Sequence, residues 1–506
     1  MMGVRVSSVS ETVACERATM RAGISSAELM RRAGEGAADL IAGAFPAAAS
    51  VPIAVFTGSG NNGGDGWVAA RRLAMTGYRV RVVEAGLPRS EESRAAKAAA
   101  TESGVETGDA ASRAAVVIDA LLGTGAIGHA RGEIADAIGA IERLQREGSY
   151  VFALDVPSGL DATTGAHGHS VWADSSVSFG TIKRGHLLAR DICGEIVVLD
   201  IGLTAANELS ALPLLVDASW VRDRVPQISP SAHKGSRKRL AIVGGGRGMA
   251  GAVILAGEGA LRSGIGLLRI VAQRDNALPI HASIPAAVFQ EWPASPEDTA
   301  KLVGTIDAIA LGPGLGVSTE THGMVERLLL AWNGPAVLDA DALNLFAGDT
   351  GSLSTLLRDR SSAITPHPAE MGRLLGMTTE DVLQNRFEIG VELSRKLGGA
   401  VLLKGSPTIV FAPSGERYVC ASGTAALATG GSGDVLTGIV GTLLAQMSSA
   451  SDAAACAAFV HGRAAELCGM VRGTTLDDIL HAMPFAWNEP LNQLPRSVIG
   501  RLDRPA

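Results

Sequence analysis

Three clusters of small and acidic residues carry the chemistry that can be read from this 506-residue chain. The first, Gly58-Ser59-Gly60-Asn61-Asn62-Gly63-Gly64-Asp65-Gly66, follows the apolar run Ile53 to Thr57. A tight turn needs only one or two glycines. Five of them bring bare backbone N–H groups close to a ligand, the two Asn amides and Asp65 add orienting hydrogen bonds, and a helix expected to begin near Trp67 offers its N-terminus to a phosphate. The bland alternative is an elaborate connecting turn. The second cluster is Asp119 and Asp155, both at expected strand ends, with Ser158 nearby. These residues offer hard oxygen ligands to a cation or a carboxylate for proton transfer. Each acid alone reads equally well as a loop cap.

The third cluster, Gly430-Gly431-Ser432-Gly433-Asp434, precedes the apolar helical run Val435 to Leu444. Its N–H groups make an anion hole, and Asp434 there is either a base toward a substrate hydroxyl during phosphoryl transfer or a plain N-cap. Near it in the same half of the sequence stand Lys404-Gly405-Ser406-Pro407-Thr408, Gly312-Pro313-Gly314-Leu315-Gly316 and Thr365-Pro366-His367-Pro368-Ala369-Glu370. Two prolines stiffen the backbone around His367, which favours a ligand-facing loop over a structural histidine. The pattern GxGxxG occurs three times, at Gly58, Gly123 and Gly246, so one occurrence means little. The third lies between a strand and a helix with Asp275 downstream, as a dinucleotide site requires. GxxxxGK[ST] and GxSxG are absent.

The elements that must position these clusters alternate between short β-branched runs and amphipathic helices, the pattern of parallel sheets covered by helices. Ser25 to Glu28 reads as a capping box opening the first helix of the fold. The expected strands are Ile53 to Thr57, Arg79 to Val83, Ala115 to Asp119, Phe152 to Asp155, Leu240 to Val243, Leu267 to Ala272, Ala308 to Leu311, Ala336 to Asp339 and Val401 to Leu403. A hairpin is expected around Pro413 to Glu416. Between about Asp217 and Arg239 prolines, serines and a basic run replace the periodic pattern, so the expected domains are 1–216 and 240–506, joined by a segment 217–239. Open α/β sheets bind ligands at the carboxyl ends of their strands.

Composition narrows the partners. Apolar residues make up 47% and charged residues 19%, enough for a folded core. The net charge of -7 and an aromatic share of 4% disfavour nucleic acid. The 62 glycines, about 12% against an average near 7%, have no collagen-like period. The five cysteines never form CxxC, which suggests neither a disulfide framework nor a zinc site. Neither a signal peptide nor a membrane span is apparent, so a cytoplasmic protein is expected.

Taken together, these motifs make the chain similar to the bifunctional NAD(P)H-hydrate repair enzymes along nearly its whole length. The first half resembles the NAD(P)HX epimerase domain through NNGGDG at Asn61 to Gly66, VIDALLGTG at Val117 to Gly125 and LDVPSGLD at Leu154 to Asp161. The second resembles the ADP-dependent NAD(P)HX dehydratase through HKG at His233, GMAGA at Gly248, GPGLG, LDADALN at Leu338, TPHP, KG..T and GGSGD. The resemblance implies a Rossmann-like α/β/α domain followed by a ribokinase-like α/β/α domain. It further implies a substrate hydrated at C6 of the nicotinamide ring, R and S epimers interconverted by the first domain, and the S form dehydrated by the second with ADP.

Carried over residue by residue, the resemblance puts the epimerase's substrate on Asn61, Asn62, Gly63, Gly64, Asp65, Gly123, Thr124, Gly125, Ala126, Ile127, Gly128, His129 and Asp155. A potassium ion falls on Asn62, Asp119 and Ser158, and Asp155 is the expected proton-transfer residue, or else a holder of substrate. The dehydratase would hold its substrate with Ala252, Gly316, His367 and Asp434, and the adenine nucleotide with Lys404, Gly405, Ser406, Pro407, Thr408 and Gly433. Asp434 would be its base. Magnesium is expected with the nucleotide, and a homo-oligomer is the expected assembly. Ala369 stands where the family usually has Gly, and Ser406-Pro407 where Ala-Gly is common, which removes one N–H. The basic run Ser236 to Arg239 is either a solvated linker or a contact for the extra phosphate of the NADPH form. A small-molecule kinase with a nucleotide-binding front domain shares GGSGD but leaves NNGGDG and LDVPSGL without a purpose. A non-enzymatic nucleotide sensor would make Asp155 and Asp434 mere caps.

Overall fold

The computed structural model describes residues 3–46, 52–109, 113–126, 128–490 and 494–505. They form two compact units, Met1–Leu214 with Asn492–Pro505, and Leu215–Leu491. The reading from sequence ran the second domain to residue 506. The tail instead belongs to the first unit, because its strand Val498–Leu502 pairs antiparallel with Glu195–Leu199. Among the described residues no helix is long and apolar enough to cross a membrane.

In the first unit the strands run in the order Val498–Leu502, Glu195–Leu199, Ser175–Phe179, Tyr150–Leu154, Val116–Ala120, Ile53–Thr57, Val80–Glu84 and Glu106–Thr107. All pairs but the first are parallel. Alternation along Ile53–Thr57 builds the two faces: Ile53 and Val55 join one core with Trp67 and Leu73, while Ala54 and Phe56 join another with Ile138 and Ile141. From Ile53–Thr57 the chain moves outward to Val80–Glu84 and Glu106–Thr107, then returns to Val116–Ala120 on the other side. The loops after Thr57 and Ala120 therefore diverge at a topological switch point, where an open α/β sheet leaves a crevice.

The second unit repeats the device. Its strands are ordered Arg417–Cys420, Thr408–Phe411, Ala400–Leu403, Ser362–Ile364, Ala336–Leu338, Ala308–Leu311, Arg239–Val243, Leu267–Ala272 and Val288–Glu291. The switch point lies between Arg239–Val243 and Ala308–Leu311, and the loops that leave it touch, Gly246 N–H donating to Gly314 O at 2.6 Å. The expected hairpin joins Thr408–Phe411 to Arg417–Cys420. The basic segment enters the sheet, since Arg239 opens a strand and pairs with Asp307 at 2.9 Å, and Arg237 donates to Gly264 O.

Two local expectations are corrected. A helix at Val9–Arg21 precedes the one expected first, and it carries the complete capping box, Ser8 with Glu11. Ser25 does cap Ser26–Ala44, but Glu28 turns to Arg31 and Arg32. The helix expected near Trp67 begins at Asn61, so Asn61 to Gly66 are its opening turns and not a loop. Packing explains the glycines: a Cβ on Gly63 would lie 2.0 Å from Gly58 O, and one on Gly64 2.6 Å from both Met30 Cε and Ser93 Oγ. Replacing Gly63 by Ala should cost the first unit about 2–3 kcal/mol, whereas Ala at Gly60, which has open space, should stay within about 0.5 kcal/mol. Equal shifts of the two variants in urea unfolding would show that close approach is not the constraint.

Candidate active sites

In the first unit a cavity of about 1180 Å³ opens at the switch point. Asn61, Asn62, Asp65, Gly123, Thr124, Gly125, Ala126 and Asp155 line it, and Glu16 joins them from Val9–Arg21. Gly63 and Gly64 supply backbone to the helix start and pack inward. Gly128 and His129 are exposed, and the His129 ring lies against Gly168. Ile127 lies outside the described residues. At the start of Asn61–Met75 the first N–H groups have no intrahelical acceptor, and Gly60 supplies no side-chain cap.

Asp155 follows the strand Tyr150–Leu154 with φ of 64°, a left-handed conformation rare for a side-chain-bearing residue. Its Oδ2 accepts from Thr124 N–H at 3.1 Å and its Oδ1 pairs with Lys183 Nζ at 2.6 Å. Lys183 is fully buried and also donates to Ser178 Oγ, Phe179 O and Thr181 O. Burial alone would raise the Asp155 carboxyl, but the Lys183 ammonium overcomes it and holds the group below its ordinary value. Asp65 is driven the other way: burial, then the charges of Asp155 and Glu16, push it well above the usual carboxylate range. Burial and Lys183 push His186 down to about 3, so it is neutral.

Asp119 and Ser158, both fully buried, meet at the end of the strand Val116–Ala120. Asp119 accepts from Ser158 Oγ at 2.6 Å, Ser158 N–H at 2.8 Å and Leu121 N–H at 3.1 Å. Burial nevertheless pushes its carboxyl up to about 6. Asn62 donates to Leu122 O at 2.9 Å, and its buried Oδ1 has no protein partner. The same Leu122 O lies 3.4 Å from Ser158 Oγ, so carbonyl, amide, hydroxyl and carboxylate oxygens gather in one place.

In the second unit Asp434 is the third residue of Ser432–Gln446, whose N-cap is Gly431, so the N-cap alternative does not hold. A Cβ on Gly438 would lie 1.8 Å from Ala256 O, and this close approach seats the helix against Ala250–Arg262, the helix that carries Ala252. Buried Asp339, just past Ala336–Leu338, accepts from Lys404 Nζ at 2.7 Å and Thr437 Oγ1 at 2.6 Å. Burial would lower the Lys404 ammonium, but Asp339, Glu370 and Asp434 hold it above its ordinary value. Gly433 borders this pair. Asp434 is pushed up to about 7 by burial and the Asp339 charge. His367 caps Pro368–Leu375, its Nδ1 accepting from Ala369 N–H, and its Nε2 lies 3.4 Å from Glu370. Gly316 N–H donates to Asp341 at 2.8 Å. The loop Lys404 to Thr408 is stapled by buried Arg386, which donates to the carbonyls of Ser406 and Pro407 at 2.8 and 2.9 Å. Asp275 faces Arg247 at 3.7 Å, both largely in solvent.

Lys183, Glu16, Asp339 and Arg386 carry no role in the sequence reading. Lys183 carries no local signal, because Arg184 follows it directly and its ion partner Asp155 stands far earlier in the chain. Lys183→Met should destabilise the first unit by about 3–5 kcal/mol at pH 7, since it strands the Asp155 carboxylate. Asp155 is lowered in the fold, so the pair's contribution is complete above its unfolded value near 4 and fades as pH falls through the lowered one. Adding Asp155→Asn should recover much of the loss. A stability difference between wild type and Lys183→Met that stays constant down to pH 2 would contradict the pairing.

The chain has relatives among known proteins. Residues 240–484 match the family model described as NAD(P)H-hydrate dehydratase, and residues 26–185 that of the YjeF-related protein N-terminus. The chain is 36% identical over 465 residues to the bifunctional NAD(P)H-hydrate repair enzyme Nnr of Coxiella burnetii, covering 89% of this chain and 92% of that protein. It is 34% identical over 469 residues to that of Escherichia coli, covering 89% and 87%. Among solved structures, the ADP/ATP-dependent NAD(P)H-hydrate dehydratase of Bacillus subtilis, co-crystallised with ATP/Mg2+, is 30% identical and covers 54% of this chain and 96% of its own, with a TM-score of 0.49.

Proposed function

This chain belongs to the family of bifunctional NAD(P)H-hydrate repair enzymes, and on that premise we propose that its first unit interconverts the C6 epimers of hydrated NADH and NADPH through Asp155, while its second dehydrates the S form with ADP through Asp434. The observation that carries the reading is that each unit has its own acid at its own crevice. Asp155 lines a cavity beside a helix start, and Asp434 sits within another helix start beside Lys404.

For dehydration, ionised Asp434 takes the proton of the C6 hydroxyl, whose oxygen attacks the terminal phosphoryl group of ADP, breaking the bridging P–O bond and releasing AMP. The open N–H groups of the Ser432–Gln446 start and the Lys404 ammonium face the charge that gathers on the phosphoryl oxygens. Phosphate, a far better leaving group than hydroxide, then departs as the ring nitrogen donates its electron pair, and loss of a C5 proton restores the dihydronicotinamide. Arg386 keeps Lys404 to Thr408 shaped for the nucleotide despite the missing N–H of Pro407. Among the described residues no three His, Cys, Asp or Glu side chains converge as a metal cage. Magnesium arriving with the nucleotide would take its oxygen ligands from phosphates and water. Potassium fits the first unit, because the orphan Asn62 Oδ1, Asp119 and Ser158 form an oxygen set suited to a hard cation. There it would brace the loops that carry Asn62, Leu122 and Ser158. The described cysteines are all free, which supports a cytoplasmic setting.

Asp434→Asn should lower dehydration at least about 100-fold and leave epimer exchange intact, and Asp155→Asn should do the reverse. Retention of both activities by both variants would overturn the assignment. Because Asp434 must be ionised to act, kcat/KM for the S epimer should rise with pH through about 7 in wild type; a rate flat from pH 5.5 to 8.5 would remove it as the base. Potassium should raise the first unit's Tm, and Ser158→Ala should abolish that rise; an equal rise in the variant would place the ion elsewhere.

A further inference from the structure

The first unit's cavity holds more proton-carrying groups than the reading above employs. Glu16, Asp65 and Asp155 all line it, from three different elements: Val9–Arg21, Asn61–Met75 and the turn after Tyr150–Leu154. Arg89, Arg94, Arg131 and Glu133 also line it, but they are exposed at its rim. The buried ammonium of Lys183 is committed to Asp155, and neighbouring His186 is neutral. Three carboxyls served by one ammonium are not all ionised at once, since burial and mutual repulsion each favour the neutral form. Lys183 fixes which one carries the charge. Asp155 is the carboxylate, and buried Asp65, on the helix Asn61–Met75, keeps its proton. A site that pushes two carboxyls apart in this way holds a base and an acid ready together.

Resting on the epimerase reading, we propose that Asp65 is the second proton-transfer residue of this cavity, giving its proton to the departing C6 hydroxyl while Asp155 takes one from the water that enters on the opposite face. The neutral Asp65 carboxyl protonates the hydroxyl oxygen, the C6–O bond breaks with its electron pair leaving as water, and the N1 lone pair forms the C6=N1 bond. A second water adds to C6 from the other side, its proton passes to the Asp155 carboxylate, and the C6=N1 pair returns to N1. The substrate emerges as its other epimer, with one water lost and one gained. Asp65 is left ionised and Asp155 protonated, the state that runs the opposite epimer, and proton exchange with solvent resets the pair. Glu16, only half-buried on the neighbouring helix, is a bystander in this scheme.

The test uses the full chain, with wild-type epimer exchange as the control for the underlying reading: if wild type does not exchange the epimers, that reading fails and not this one alone. Asp65→Asn preserves shape and hydrogen bonding, so it should lower kcat for exchange at least about 100-fold with KM changed less than about threefold. Asp65→Glu, which keeps a carboxyl on a longer side chain, should regain part of the rate, and wild type run in 18O-water should place one labelled oxygen at C6 per exchange. An Asp65→Asn enzyme that keeps kcat and loses only KM would reduce Asp65 to a substrate contact and overturn the proposal. Exchange in wild type without uptake of label would overturn the water-loss step.

Discussion

A carboxylate buried at the carboxyl end of a parallel strand needs hydrogen-bond donors or a cation against it, and each candidate site is organised by one such acid paired with a lysine. In the first unit Lys183 meets Asp155 at 2.6 Å, and in the second Lys404 meets Asp339 at 2.7 Å. Neither pair is a strong net stabiliser, because desolvating two charges offsets most of their attraction. Their value is that each fixes protonation. Lys183 keeps Asp155 ionised beside a neutral Asp65. The second pair works through distance: Asp339 orients Lys404 near Gly433, and its negative charge helps raise Asp434 to about 7, where a base retains both charge and basicity.

Backbone geometry brings these groups to the right places. Asp155 itself has φ of 64°, and Ala340, directly after Asp339, has φ of 48°. Left-handed backbone at a side-chain-bearing residue costs of order 1–3 kcal/mol and persists where surrounding contacts require it. Here each kink comes where a parallel strand ends in its critical acid. Close approach does the remaining work. The helix starts at Asn61 and Ser432 reach their crevices because glycines such as Gly63 and Gly438 leave no side chain between one backbone and the next.

Much of this was legible from residue order. The strands Ile53 to Thr57, Leu267 to Ala272 and Ala308 to Leu311 end where β-branched and apolar runs end, and the Pro413 to Glu416 hairpin follows from its turn residues. The acids Asp119, Asp155 and Asp434 stood out because each directly follows an apolar run or a glycine-rich turn. The helix start at Asn61 was hidden because glycine's low helix propensity argues for a loop, and tight tertiary packing outweighs that preference. The tail strand Val498–Leu502 was hidden because strand pairing across some three hundred residues leaves no local mark. Lys183 and Arg386 were missed for a similar reason: a buried cation is defined by the partners that surround it, and those lie far off in sequence or on backbone carbonyls.

The central claim is that one chain holds two separate, complementary activities, and total recovery of reduced cofactor tests it most directly. A mixture of R and S hydrated NADH would be given to the purified chain with potassium, magnesium and ADP, and restored NADH followed by its absorbance to the end point. The account predicts recovery of the entire mixture, since the first unit feeds the second as the S form is consumed. Recovery that stops at the S fraction would contradict the role given to the Asp155 cavity, and phosphorylation of another small molecule with no restored NADH would contradict the account as a whole.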